Sequence, residues 1–172
     1  VASGNNASLG VDLIVAALTG GASVSVTTGV TGAQNGDITL TAGGALNFNG
    51  TGTNTLTLSA ARDIILNGSI SDSVAGGDTL NLVLDAGRHI NANSTISLGG
   101  GNLTFMTPGG TAFLNTATTI DAANITFTGA AVLQVDTTLN SSGLVHFQGT
   151  LNGTAAGTEF LHISAGNARF DA

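Results

Sequence analysis

Two stretches set a cation beside an ionisable neighbour: Arg62-Asp63 in LTLSAARDIILNGSI (56–70) and Arg88-His89 in LVLDAGRHINANSTI (82–96). They align without a gap. Leu56 falls on Leu82, Ala60 on Ala86, Arg62 on Arg88, Ile64 on Ile90, Asn67 on Asn93 and Ile70 on Ile96. Guanidinium groups can grip the carboxylates of an acidic glycan, and paired carboxylates can hydrolyse a glycosidic bond. If the two stretches stack, Arg62 and Arg88 lie one above the other at the surface and repel, with Asp63 and Asp85 near enough to relieve them. Exposed ion pairs of this kind contribute about 0–1 kcal/mol. The arginines therefore read first as trim on a turn, and second as candidate surface contacts.

The other reactive side chains are dispersed. Asp37, Asp63, Asp72, Asp78, Asp85, Asp121 and Asp136 fall at strand starts and turns, and Glu159 is the single glutamate. No carboxylate pair recurs at matched positions, which is the distribution of turn-forming aspartates, so no catalytic residue is assigned. His146 and His162 each stand between two apolar residues, where alternation points them outward. Two imidazoles without further ligands make a poor metal site. NGD (35–37) and AGGD (75–78) begin a glycine-aspartate calcium repeat but never complete it, so no metal or cofactor is expected.

Asn6, Asn49, Asn67, Asn93, Asn102, Asn124, Asn140 and Asn152 all open N-x-S/T sequons, which are acceptor patterns in a secreted chain. Asn49, Asn67 and Asn93 also align, if DITLTAGGALNFNGT (37–51) is laid on the opening repeat with Ala42 on Ala60, Leu46 on Ile64 and Phe48 on Leu66. That alignment suits a stacked amide ladder, with glycosylation as the alternative.

The 172 residues are 42% apolar and only 8% charged, with no cysteine; mean hydropathy is +0.37. Disulfides, thiolate zinc sites and thiol nucleophiles are excluded. The three cations, Arg62, Arg88 and Arg169, against a net charge of −7 argue against nucleic acid and anionic membrane surfaces. No apolar run approaches the length of a membrane span. Tyr and Trp, the usual sugar-stacking residues, are absent. Phe48, Phe105, Phe127 and Phe147 sit at alternating apolar positions and read as core.

Period-two segments dominate: ASVSVTT (22–28), DITLT (37–41), ALNFN (45–49), TLTLS (55–59), LNLVLDA (80–86), NLTF (102–105), NITFTG (124–129), LVHFQ (144–148) and FLHIS (160–164). Each is a strand with one buried face, and Gly/Asn/Asp/Ser clusters separate them. The aligned repeat makes them coils of a β-solenoid rather than a Greek-key sandwich, the structural rival. About 22 residues per coil gives roughly seven or eight coils and a rod of roughly 35 Å. VDLIVAALTGG (11–21) breaks the pattern. It predicts a short helix over 12–19, with Asp12 as N-cap and Gly20-Gly21 as the stop. The organisation expected is one all-β segment over 1–172, with a short helix and lead-in at 9–20 and stacked coils over 22–172.

VDLIVAALTGGASVSVTTG, GDITLTAGGALNFNG, LTLSAARDIILNGSI and LDAGRHINANSTI together resemble the filamentous haemagglutinin family, the large exoproteins of bacterial two-partner secretion. The resemblance covers roughly residues 8–100. It implies a right-handed parallel β-helix in a fibrous adhesin at the surface of a Gram-negative bacterium, exported through a dedicated outer-membrane transporter. It also implies attachment to host cells, other bacteria or a biofilm matrix polysaccharide. No NPNL-type motif of the amino-terminal secretion domain occurs, so an internal piece of the fibre is expected. The alternatives are the stalk of a contact-dependent toxin and, behind it, a polysaccharide-degrading β-helix; an ice-binding solenoid ranks last.

Overall fold

The computed structural model describes residues 7–29, 36–72, 77–115, 119–155 and 157–171. Asn6, Asn35 of NGD and residues 75–76 of AGGD lie outside them. Among these residues the chain forms one helix, α1 (Val11–Thr19), and then a β-solenoid whose strands all pair in parallel.

Every coil contributes a strand to each of three faces. Face one holds β1 (Val24–Thr27), β4 (Thr53–Ala60), β7 (Thr79–Ala86), β10 (Asn102–Met106) and β13 (Asn124–Phe127). Face two stacks β2 (Ile38–Leu40), β5 (Asp63–Leu66), β8 (His89–Ala92), β11 (Thr111–Leu114), β14 (Ala130–Leu133) and β16 (Leu151–Gly153). Face three holds β3 (Leu46–Phe48), β6 (Ile70–Asp72), β9 (Ile96–Ser97) and β12 (Thr119–Ala122). The last two strands, β15 (Thr137–Phe147) and β17 (Leu161–Phe170), bend around a corner. Their first halves continue face three and their second halves face one.

Register follows from burial. A one-residue slip would turn every apolar side chain of a strand to solvent, so like sits on like from coil to coil. Ile38, Ile64 and Ile90 form one column, and Leu46, Ile70, Ile96, Ile120 and Leu139 another. Phe105, Phe127, Phe147 and Phe170 stack as nearly parallel rings with centroids 4.6, 4.6 and 5.2 Å apart, close to the spacing of neighbouring strands, about 4.8 Å. Phe48, Phe105, Phe127 and Phe147 are buried core, as their alternation predicts.

Face two stacks six strands and face one, with the second halves of β15 and β17, seven, so the rise is five to six coil-to-coil steps, roughly 24–29 Å. The expected seven or eight coils are too many because the residues before Val24 take no part in a coil and the first two steps are long. Bonds between successive coils join residues 32 apart at the start, then 26, 22 and 20. The same lengths displace the expected alignment of 37–51: Ile38 lies beside Ile64 and Leu46 beside Ile70.

The helix spans Val11–Thr19, one residue longer than expected. Gly10 is its N-cap and makes no side-chain bond, so Asp12 lies inside the first turn instead of capping it; there a carboxylate favours the positive helix end. Gly20 N–H donates to Ala16 O at 3.0 Å and Ala22 N–H to Ala17 O at 3.1 Å. Gly21, at φ +87°, takes the left-handed turn that ends helices. Leu18 is buried, and Val11, Ile14 and Val15 pack on the core, laying α1 across β3, β1 and β4. An apolar cavity of about 670 Å³ remains there, lined among others by Ile14, Val24, Leu40, Leu46 and Leu56.

Phe127 stands in the middle of the aromatic column, so Phe127→Ala leaves a void between two rings. A loss of about 3–5 kcal/mol is expected, read as a lowered midpoint in chemical denaturation.

Candidate functional site

The corner between faces one and two carries the chemistry singled out from sequence. Arg62 is one strand-step above Asp37, and it grips that carboxylate with both arms of its fork. Nε donates to Oδ1 at 2.7 Å and Nη2 to Oδ2 at 2.5 Å. One coil further, Arg88 grips Asp63 the same way, with Nε to Oδ1 at 2.8 Å and Nη2 to Oδ2. Each acid also accepts a backbone N–H from the coil above, Asp37 from Asp63 and Asp63 from His89, both at 3.2 Å.

The arginines do sit one above the other, since Arg88 N–H donates to Arg62 O at 2.8 Å. The Arg88 charge does oppose that of Arg62, and Asp63 relieves both as expected. An acid of the coil below lies under each fork, and Asp63 also comes within 3.4 Å of Arg62 Nε, so charge alternates up the corner. Asp85 takes no part and accepts from Ser59 Oγ at 3.2 Å. Arg62 and Arg88 remain 33% and 51% exposed at their side chains, while Asp63 is buried.

The ladder ends for a steric reason. The residue above Arg88 is Gly110, and a Cβ there would stand 1.4 Å from Arg88 O. No side chain, let alone a third arginine, fits that rung. His89, in the acid position of the third coil, leans its ring on Phe113, with centroids 5.3 Å apart.

The other two corners carry amides. Asn93 Nδ2 donates to Asn67 Oδ1 at 2.8 Å and Asn115 Nδ2 to Asn93 Oδ1 at 2.5 Å. The expected Asn67–Asn93 ladder therefore exists, and Asn115 extends it. Asn49 is not on it: the residue beneath Asn67 is Thr41, because Asn67 N–H donates to Leu40 O, and Asn49 lies past the end of β3. A second ladder, Asn81–Asn102–Asn124, has amide bonds of 3.1 and 2.7 Å. Asn81 and Asn124 also accept the backbone N–H groups of Asn102 and Leu144. Its signal was present in sequence as Asn before alternating apolar residues in NLVL, NLTF and NITF.

His146 and His162 do not stack on one another. His162 lies beside Thr138, and His146 beside Arg169. His146 is no solvated histidine: its Nε2 lies 2.7 Å from Asp171 Oδ2, while Arg169 Nε donates to Asp171 Oδ1 at 2.6 Å. These bonds, His146 first and then Arg169, hold the Asp171 carboxyl below the usual carboxylate range. Among the described residues no group of three or more His, Asp or Glu could hold a metal ion, and no helix is long and apolar enough to cross a membrane.

No family model matches this chain, and no curated protein or solved structure matches it either.

The fork of Arg88 is the main reason that the Asp63 carboxyl lies below its ordinary pKa; the His89 N–H and the Arg62 charge add to it, against burial. A depressed pKa gives stability that is full above the unfolded value of about 3.9 and is lost as pH falls through the folded one. Asp63→Asn should cost about 1–3 kcal/mol at neutral pH, and the difference from wild type should shrink as the pH falls below about 4; parallel urea titrations measure both. Asn93→Ala removes two ladder bonds and should cost about 1 kcal/mol, whereas Asn49→Ala should leave the denaturation midpoint where it was.

Proposed function

We propose that this chain is a structural segment of a large secreted adhesin of the filamentous haemagglutinin type, a stiff spacer in a fibre at the surface of a Gram-negative bacterium. Its β-solenoid fold is consistent with a structural fibre. The observation that supports the reading is that coil stacks on coil through backbone ladders, an unbroken apolar core and polar ladders near all three corners. Each coil then adds rise along one axis and resists bending, which suits a part that carries a binding tip away from a cell. In this reading a dedicated outer-membrane transporter exports the chain, and the attachment partner is a host, bacterial or matrix surface.

The carboxylates fit the same role. Asp37 and Asp63 are held by arginines, Asp72 and Asp78 accept the N–H groups of Leu80 and Gly50, and Asp136 accepts that of Phe160. These acids tie one stretch of backbone to another.

The test is a glycan array and a cell-binding assay with the purified chain beside the full-length protein. The chain alone should bind neither glycans nor cells while the longer protein adheres; tight, specific binding by the chain alone would overturn the spacer reading.

A further inference from the structure

An asparagine followed by glycine sets an electrophile and a nucleophile in adjacent residues. The glycine nitrogen carries no Cβ shield and lies within reach of the asparagine Cγ, so closure to a five-membered imide waits on a turn of the side chain and the loss of one amide proton. The sequence holds four such pairs: Asn35-Gly36, Asn49-Gly50, Asn67-Gly68 and Asn152-Gly153. Asn35 lies outside the described residues, and the fold treats the other three differently.

Asn67 is held at the groups the reaction has to move. Its N–H donates to Leu40 O at 2.8 Å, and its Oδ1 accepts from Asn93 Nδ2 at 2.8 Å. Gly68 is wedged where a Cβ would stand 2.5 Å from Thr41 O. Asn152 and Gly153 lie in β16, paired with β14. Asn49 has neither restraint. It is exposed beyond the end of β3, and its amide belongs to neither ladder.

The nitrogen next to Asn49 is also the one that meets a carboxylate. Gly50 N–H donates to Asp78 Oδ2 of the next coil at 2.9 Å, within the range for proton transfer to a positioned base, about 2.6–3.2 Å. Asp78 is 8% exposed, and its Oδ1 is buried without a hydrogen-bond partner. The three arginines of the chain grip Asp37, Asp63 and Asp171, so the Asp78 carboxylate has an oxygen to spare for a proton. A Cβ at Gly50 would stand 2.5 Å from the Phe48 ring, so packing keeps the nucleophilic nitrogen bare.

We propose that Asn49-Gly50 is a self-modification site, at which Asp78 serves as general base and Asn49 becomes aspartate and isoaspartate. Gly50 N bonds to Asn49 Cγ as its proton passes to Asp78 Oδ2. The tetrahedral centre then breaks its Cγ–Nδ2 bond, and the proton on Asp78 departs with the amide as ammonia. One water opens the imide at either carbonyl, leaving the new carboxylate on the side chain or, in isoaspartate, routing the backbone through the side chain. An amide and a water are exchanged for a carboxylate and ammonium, with nothing oxidised or reduced. Conversion adds a negative charge at this corner and erases the NGT sequon that Asn49 opens.

Peptide mapping by mass spectrometry follows the exchange of amide for acid at each pair, and isoaspartyl methyltransferase labels the iso form. In the folded wild-type chain at neutral pH, Asn49 should convert faster than Asn67 and Asn152. Unfolding in urea removes the Asp78 contact and the ladder, so Asn49 should slow and Asn67 should quicken until their rates meet. Asp78→Asn keeps an oxygen for the Gly50 N–H but no basic group. It should slow Asn49 in the folded chain about 100-fold, with the β-sheet circular dichroism spectrum and the Asn67 rate unchanged. An Asn49 that converts no faster folded than in urea overturns the proposal, and so does a folded Asp78→Asn chain that converts at the wild-type rate. The urea comparison needs no variant, so it decides the question even where Asp78→Asn does not fold.

Discussion

The whole molecule depends on parallel strands stacking at a fixed rise with each side chain above its counterpart one coil below. A strand in this position has neighbours on two sides through its backbone and faces the core with alternate residues. The vertical neighbour therefore constrains every position. Inside, that demands shapes that stack, and the chain answers with isoleucine on isoleucine and four phenylalanines in one column. Outside, it brings like polar groups together, which is useful for amides and a problem for charges.

Amides solve the problem by themselves, because Asn carries both a donor and an acceptor. Asn67, Asn93 and Asn115 pass one bond up the ladder with no second residue type. Arginine cannot do this, having donors only. The Arg62 and Arg88 rungs work because each fork drops onto the aspartate one coil down, and Asp63, beside Arg62 in the chain, serves both arginines. The ladder stops after Arg88, where His89 stands in the acid position and Gly110 brings backbone too close to Arg88 O for any Cβ.

Coil length is free to vary because the corners and the lengths of the face-one strands together absorb the difference. Steps of 32, 26, 22 and 20 residues all deliver the same apolar columns. That tolerance is what misled the placing of residues 37–51. A short gap-free match put Leu46 on Ile64, yet the strand that carries Leu46 belongs to the third face and stacks on Ile70. With it went Asn49 from the amide ladder and the estimate of the coil number. The tighter match of 56–70 with 82–96 held because one 26-residue offset runs unbroken through all three strands and both corners it spans.

Period-two alternation and self-similarity in the sequence determined an all-β solenoid with a short helix at its start, phenylalanines as core, and an Asn67–Asn93 rung, because these follow from local pattern and from one undisturbed repeat. Only the tertiary structure decided which acid each arginine grips, that Asn115 and a second amide ladder join the first, and that His146 meets Asp171. Those pairings are set by the vertical register, and the register depends on how many residues each corner consumes before the next strand begins.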